Sequence, residues 1–144
     1  MPQVLVVDDS RVMREMIVAC LRAAPGLEFG HAGSGLEAIE RLSLKPFDLL
    51  VLDLNMPDIG GLEVIEFVRG QDRLRRLPIL VVTSRDDEAS RARALATGAS
   101  SFMTKPFAPD AILAEVRALL DGGGAASASA PARQDPGARG SDGQ

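Results

Sequence analysis

Val4–Val7, Leu49–Leu52 and Ile79–Val82 are unbroken aliphatic runs, each too short to cross a membrane and without polar alternation. A strand covered on one face alternates apolar and polar residues, whereas a strand covered on both faces reads as a continuous apolar run. Strands of the second kind are parallel, and successive parallel strands need a crossover of a dozen or more residues, usually a helix. The runs therefore predict an α/β fold with helices on both sides of a parallel sheet.

The intervening segments have the matching period. Arg11–Ala23 carries Val12, Met16, Ala19 and Cys20 as one stripe, widened by Met13, Ile17 and Leu21, with Ser10 as the candidate N-cap. A weaker strand, Glu28–Ala32, leads to a helix over Gly35–Leu42, entered by Ser34 with Glu37 three residues on, the pattern of a capping box. Leu49–Leu52 is followed by a loop, Asn55–Gly61, and a helix Leu62–Arg69 ended by Gly70. Pro78 introduces the strand Ile79–Val82 after a turn with Arg73, Arg75 and Arg76, which is expected to be solvated.

A fourth helix begins near Asp86–Glu88, where acids suit the positive end of the helix dipole, and stops at Gly98. Ser101–Thr104 is the fifth strand. The last helix takes Pro109 into its first turn and stacks Ile112, Leu113, Val116, Leu119 and Leu120 before Gly122. This alternation is that of stacked βαβ units.

Composition bounds the remaining choices. At 144 residues and 46% apolar, the chain fits one domain with a sizeable core. A net charge of −4 and a pI near 5.0 offer no electrostatic footprint for nucleic acid or an anionic membrane, so neither is an expected partner. Cys20 is the single cysteine, which excludes an intrachain disulfide and a cysteine metal cluster; it reads as a small apolar filler in a reducing compartment. The N-terminus is too short in apolar residues for a signal-peptide core or a membrane span, and a cytoplasmic location is expected. From Asp121 onward the sequence is Gly, Ala, Ser, Pro and scattered charge, so a folded domain over 1–120 and a disordered tail over 121–144 are predicted, with no effector domain after it.

Charged residues stand beside these runs. Asp8 and Asp9 close Val4–Val7, Asp53 closes Leu49–Leu52, Asp58 follows in the loop, and Lys105 lies between Phe102-Met103-Thr104 and Pro106. Lys105 is one of only two lysines, the other being Lys45, in a chain that otherwise uses arginine. Charges at the carboxyl ends of parallel strands collect at one sheet edge, where open α/β folds place their chemistry. Asp58 reads as an ordinary loop acid, and His31, the only histidine, as a solvated loop residue away from that edge.

Clustered carboxylates repel unless a divalent cation sits among them, and an all-oxygen, thiolate-free set suits Mg²⁺ or Mn²⁺. Asp9 and Asp53 can hold the metal, a free oxygen of Asp53 can attack phosphorus, and Thr83 and Lys105 can hold the equatorial oxygens. The product would be an acyl phosphate on Asp53.

Residues 4–120 resemble the receiver domain of two-component response regulators, the CheY-like superfamily, of the stand-alone single-domain type. The resemblance is carried by Val6-Val7-Asp8-Asp9-Ser10, Leu52-Asp53-Leu54-Asn55-Met56-Pro57 with Gly61, Val82-Thr83-Ser84, and Lys105-Pro106-Phe107. It implies a flavodoxin-like, doubly wound, three-layer α/β/α fold with five helices and five parallel strands in the order 2-1-3-4-5. It also implies Asp53 as the phosphorylated aspartate, Asp9 as a direct metal ligand and Asp8 as its neighbour acting through water. Asn55 matches the position whose backbone carbonyl completes the metal shell. Thr83 and Lys105 match the phosphate-sensing hydroxyl and lysine, Phe102 matches the aromatic switch, and Lys105-Pro106 is expected to be cis.

The implied partners are a sensor histidine kinase or phosphotransfer protein and a downstream protein that binds the face made by the fourth helix, fifth strand and fifth helix. The implied protein is a signalling domain, not an enzyme acting on other substrates, since it catalyses only its own phosphorylation and dephosphorylation. A phosphotransfer intermediate or phosphate sink is an alternative, as is a degenerate receiver acting purely as an interaction module, disfavoured because every reactive position is retained. A haloacid dehalogenase-type phosphohydrolase also uses an aspartate nucleophile, Mg²⁺, threonine and lysine. It needs a second acid two residues after the nucleophile, and Asn55 stands there. Phe102 lacks the hydroxyl of motor-binding chemotaxis receivers, which weakens a flagellar role, and Arg85 borders the phosphate site, where it is expected to affect phosphoryl lifetime.

Overall fold

The computed structural model describes residues 1–122 of the chain. Apart from Asp121 and Gly122, the segment expected to be a disordered tail lies outside the described residues. Strands β1 (Gln3–Val7), β2 (Glu28–Ala32), β3 (Leu49–Leu52), β4 (Ile79–Thr83) and β5 (Ser101–Thr104) alternate with helices α1 (Arg11–Leu21), α2 (Gly35–Leu44), α3 (Gly61–Gly70), α4 (Glu88–Thr97) and α5 (Pro109–Leu120). The sheet is parallel throughout, in the order β2-β1-β3-β4-β5. The expected fold and strand order are those observed.

Successive side chains of each strand enter opposite layers. Val4, Val6, Leu49, Val51, Leu80 and Val82 pack with Ile17, Val18 and Leu21 of α1 and Ile112, Val116 and Leu119 of α5. Leu5, Val7, Leu50, Leu52, Ile79 and Val81 pack with Ala38 and Leu42 of α2, Val64, Ile65 and Val68 of α3, and Ala94 of α4. Both faces of β1, β3 and β4 are thus apolar, which explains the uninterrupted runs. Each fully buried Val, Leu or Ile contributes about 1.5–3 kcal/mol.

Local signals set most boundaries. Ser10 caps α1 by accepting from the Met13 amide at 3.1 Å, and Asp87 caps α4 by accepting from the Ser90 amide at 3.0 Å. Gly98 ends α4 at φ +134°, a left-handed conformation that a side chain would strain. Cys20 is half-buried against the α1–α5 layer, as an apolar filler.

Three local expectations are corrected. The predicted stripe of α1 faces the wrong way: Val12 is 71% and Met16 49% exposed, while Ile17, Val18 and Leu21 are buried. The helix is apolar on two sides, and the inward side also carries Arg14, a charge that disguised it. The capping box of α2 is displaced by one residue. Ser34 accepts from the Glu37 amide at 3.1 Å, but the Glu37 carboxylate accepts from Gly33 at 2.7 Å and not from Ser34.

His31 is not a loop residue. It belongs to β2, paired in register with Val6, and its Nδ1 accepts from Arg14 Nε at 3.3 Å. Burial first, and then the Arg14 charge, lower its pKa. The turn holding Arg73, Arg75 and Arg76 is exposed as expected, with Arg73 also donating to the Leu42 carbonyl.

Candidate functional site

The sheet order makes β1 and β3 neighbours whose chains depart toward opposite layers, and a crevice opens beyond their carboxyl ends. The first residues past these ends are Asp8 and Asp53. The Asp8 amide donates to the Ala32 carbonyl of β2 and the Asp53 amide to the Val7 carbonyl of β1, so the sheet ladder itself fixes both aspartates. Asp8 is 2% and Asp53 5% exposed, whereas Asp9 faces solvent. One carboxylate oxygen from each of Asp8, Asp9 and Asp53 lies within 4.8 Å of the others.

The opposing charge comes from across the sheet. Lys105 follows β5, its backbone amide donating to the Thr83 carbonyl at 2.8 Å, and the Lys105–Pro106 bond is cis. Its Nζ donates to Asp8 Oδ2 at 2.7 Å and lies 3.6 Å from Asp53 Oδ2. Thr83 ends β4 fully buried, and its hydroxyl accepts from the Arg85 amide at 3.3 Å.

The site perturbs the protonation of Asp53. Burial pushes its pKa up; the Lys105 ammonium opposes this, the Asp8 carboxylate adds to it, and the Asn55 amide and Thr83 hydroxyl pull it back. The Asn55 amide donates to Asp53 Oδ1 at 3.3 Å. Asp8 Oδ1 is likewise occupied, accepting from the Ser10 amide at 2.9 Å.

The donor set fits a hard divalent cation. The three clustered carboxylates are all-oxygen donors, and among the described residues one ammonium, that of Lys105, pairs with two of them. Like charges this close repel one another, and a cation held among them would offset that repulsion.

The site brings together Asp8, Asp9, Asp53, Asn55, Thr83 and Lys105. Phe102 lies away from the carboxylates, in the layer beneath α4, paired in register with Val81 and 7% exposed. The Arg91 guanidinium stands 5.5 Å over its ring. Asp58 is structural, as expected, but in a specific way: its carboxylate accepts from the Gly35 and Leu36 amides at the start of α2, both at 3.1 Å.

One partner escaped sequence reasoning, and a second was placed at the site without its contact. Arg14 donates through Nη1 to the Asp8 carbonyl at 2.5 Å, and a charge on the inward side of an apolar helix was the signal for it. Arg85, singled out as bordering the site, donates through Nε to Asn55 Oδ1 at 2.8 Å, a contact that sequence spacing does not encode.

A family model described as the response regulator receiver domain matches residues 4–117. Among curated proteins, response regulator MprA of Mycobacterium tuberculosis is 42% identical over 118 residues, covering 82% of this chain and 50% of the relative. The phosphate regulon transcriptional regulatory protein PhoB of Rhizobium meliloti is 36% identical over 120 residues, covering 83% and 52%. The chain spans about half the length of these relatives.

Among solved structures, the chemotaxis response regulator CheY4 of Vibrio cholerae superposes with a TM-score of 0.77 at 34% identity, covering 83% of this chain and 98% of that one. The signal receiver domain of a signal transduction histidine kinase from Syntrophus aciditrophicus gives 0.78 at 32% identity, covering 85% and 92%.

Proposed function

Because the chain belongs to the response regulator receiver family, we propose that Asp53 accepts a phosphoryl group in a Mg²⁺-dependent reaction and that the added charge switches the α4–β5–α5 face for partner binding. The observation that carries this reading is the setting of Asp53: a buried carboxylate at a strand end, within 4.8 Å of two further acids and 3.6 Å from a lysine ammonium. Asp9 and Asp53 would hold the metal directly, with Asp8 acting through water and Asn55 offering its carbonyl. A bound Mg²⁺, or Mn²⁺, supplies positive charge that offsets repulsion between the carboxylates and an incoming phosphoryl group.

A carboxylate oxygen of Asp53 attacks phosphorus, the bond from phosphorus to the donor breaks with its electron pair leaving on the donor, and a mixed anhydride remains. Lys105 releases part of its hold on Asp8 to donate to a phosphoryl oxygen, and the Thr83 hydroxyl donates to another. Hydrolysis by water returns the carboxylate, so the chain's chemistry is its own phosphorylation and dephosphorylation. The donor class is phosphohistidine on a sensor histidine kinase or phosphotransfer protein, and the setting is the cytoplasm. Among the described residues no helix is long and apolar enough to cross a membrane.

Phosphorylation replaces one negative charge with about two and adds acceptor oxygens. Thr83 moves toward them, and the volume it vacates admits the Phe102 ring. Phe102 lies under α4, so its rotation alters the surface that a downstream protein reads, a two-state element biased by a local charge. A phosphotransfer intermediate or phosphate sink uses the same chemistry without this output. The phosphohydrolase alternative is unsupported, since an amide at Asn55 cannot protonate a leaving group.

The test is incubation of the chain with Mg²⁺ and a small phosphodonor, read by intact mass. A single phosphate adduct is expected, lost with EDTA and in Asp53→Asn. An adduct that persists in the variant would overturn the reading.

A further inference from the structure

The loop from β3 to α3 is held at two places, and one of them is remote from the carboxylates. At its base, Gly61 donates to the Leu54 carbonyl at 3.1 Å and lies so close to β3 that a Cβ there would stand 2.6 Å from the Asp53 carbonyl. At its outer end, Asp58 reaches across to α2, its two carboxylate oxygens accepting from Gly35 and Leu36. The same seam is closed by packing: a Cβ on Gly35 would stand 2.5 Å from the Ile59 carbonyl oxygen. Asn55 lies between the two anchors, with its amide on Asp53 Oδ1 and its side chain on Arg85.

We propose that Asp58 is a positioning residue for the metal and phosphoryl site, anchoring the loop on α2 so that the Asn55 backbone faces Asp53. This rests on the reading of Asp53 and its neighbours given above. Asp58 touches none of the reacting groups and acts through the loop. Ser34 already caps α2 conventionally by accepting from the Glu37 amide. The helix therefore has its own cap, and what Asp58 adds is a tie between helix and loop. Hydrogen bonds from the α2 amides, that of Leu36 foremost, hold the Asp58 carboxyl below its ordinary pKa, so the tie is charged at neutral pH.

The test compares Asp58→Ala, Asp58→Asn and Ser34→Ala with the wild-type chain by Mg²⁺ titration alone, followed through backbone amide resonances, alongside thermal melts. Asp58→Ala is expected to bind Mg²⁺ about tenfold more weakly, the effect typical of partners that orient metal ligands. The Asn55 amide should shift in that variant even before metal is added. Asp58→Asn, which keeps one acceptor oxygen, should fall between and serves as the readout should the alanine variant not fold.

Ser34→Ala removes a cap from the same helix end and should lower the melting temperature while leaving Mg²⁺ affinity unchanged. Wild-type affinity in the Asp58 variants, or equal weakening in Ser34→Ala, would overturn the proposal. If the wild-type chain itself neither binds Mg²⁺ nor accepts phosphate, the reading of Asp53 falls first and this inference falls with it.

Discussion

Replacing Asp53 by asparagine should stabilise the metal-free protein. Ionised Asp53 is attracted to Lys105 at 3.6 Å and repelled by Asp8, which lies within 4.8 Å. With an effective dielectric constant near 20, the attraction is about 4.6 kcal/mol and the repulsion at least about 3.5 kcal/mol, leaving at most about 1 kcal/mol of net attraction, while solvent screens the exposed Asp9. Burial of the charge costs several kcal/mol, and it outweighs that remainder, in keeping with the raised pKa.

Asparagine keeps the shape and an acceptor for the Asn55 amide while removing the charge. The gain should be about 2 kcal/mol, or roughly 8 °C in melting temperature for a domain of this size. Because the folded-state pKa lies above the ordinary 3.8, the folded protein holds this proton more tightly than the unfolded chain. The penalty in the wild type is absent below pH 3.8, grows as pH rises toward the folded-state value, and is complete above it. Circular dichroism melts in EDTA across this range should show the two proteins converging in acid and diverging toward neutrality. Saturating Mg²⁺, at about 100 times its Kd, adds about 2.7 kcal/mol to the wild type and should remove or reverse the difference. An asparagine variant that melts at or below the wild-type temperature in EDTA at pH 7 would refute the charge balance.

Lys105→Met leaves Asp8 and Asp53 without the ammonium that pairs with both. It should lower metal-free stability by about 3 kcal/mol in urea unfolding, and an unchanged midpoint would contradict the pairing. Arg85→Ala removes the bond to Asn55 and opens the mouth of the site, so the phosphorylated form should lose its phosphate roughly threefold faster, in proportion to one hydrogen bond. Equal decay rates in the two proteins would dismiss a role for Arg85. His31 has a folded-state pKa below 6.5, so its contribution to stability is full above that pH and declines as pH falls beneath it. Denaturant titrations between pH 5 and 7 should lose this slope in His31→Gln; a retained slope would place the titrating group elsewhere.

The sheet was legible because its central strands are apolar on both faces, a pattern few other environments produce. Asp8 and Lys105 are 97 positions apart, yet their meeting could be anticipated, since both stand at carboxyl ends of parallel strands. The phase of α1 was not legible. Val12 and Met16 offer an apolar side as Ile17 and Leu21 do, and the inward side is marked only by tertiary contacts, the packing of Ile17, Val18 and Leu21 and the bonds of Arg14 to Asp8 and His31.

Asp58 shows a second limit. Its partners are 22 and 23 positions away, on a helix whose own cap residue already satisfied the local pattern, so nothing in the spacing marked it. The one-residue displacement of Glu37 is of the same kind. A glutamate three residues into a helix can serve either of two adjacent amides, and the bend of the chain before the helix decides between them.

The most direct measurement is to trap the phosphorylated chain with borohydride, which reduces an acyl phosphate to an alcohol, and to sequence the resulting peptides by mass spectrometry. Homoserine at position 53, formed only after exposure to Mg²⁺ and a phosphodonor, is the predicted result. Homoserine at position 8 or 9 instead, or phosphate found on His31 or a hydroxyl side chain, would contradict the assignment of Asp53 as the acceptor.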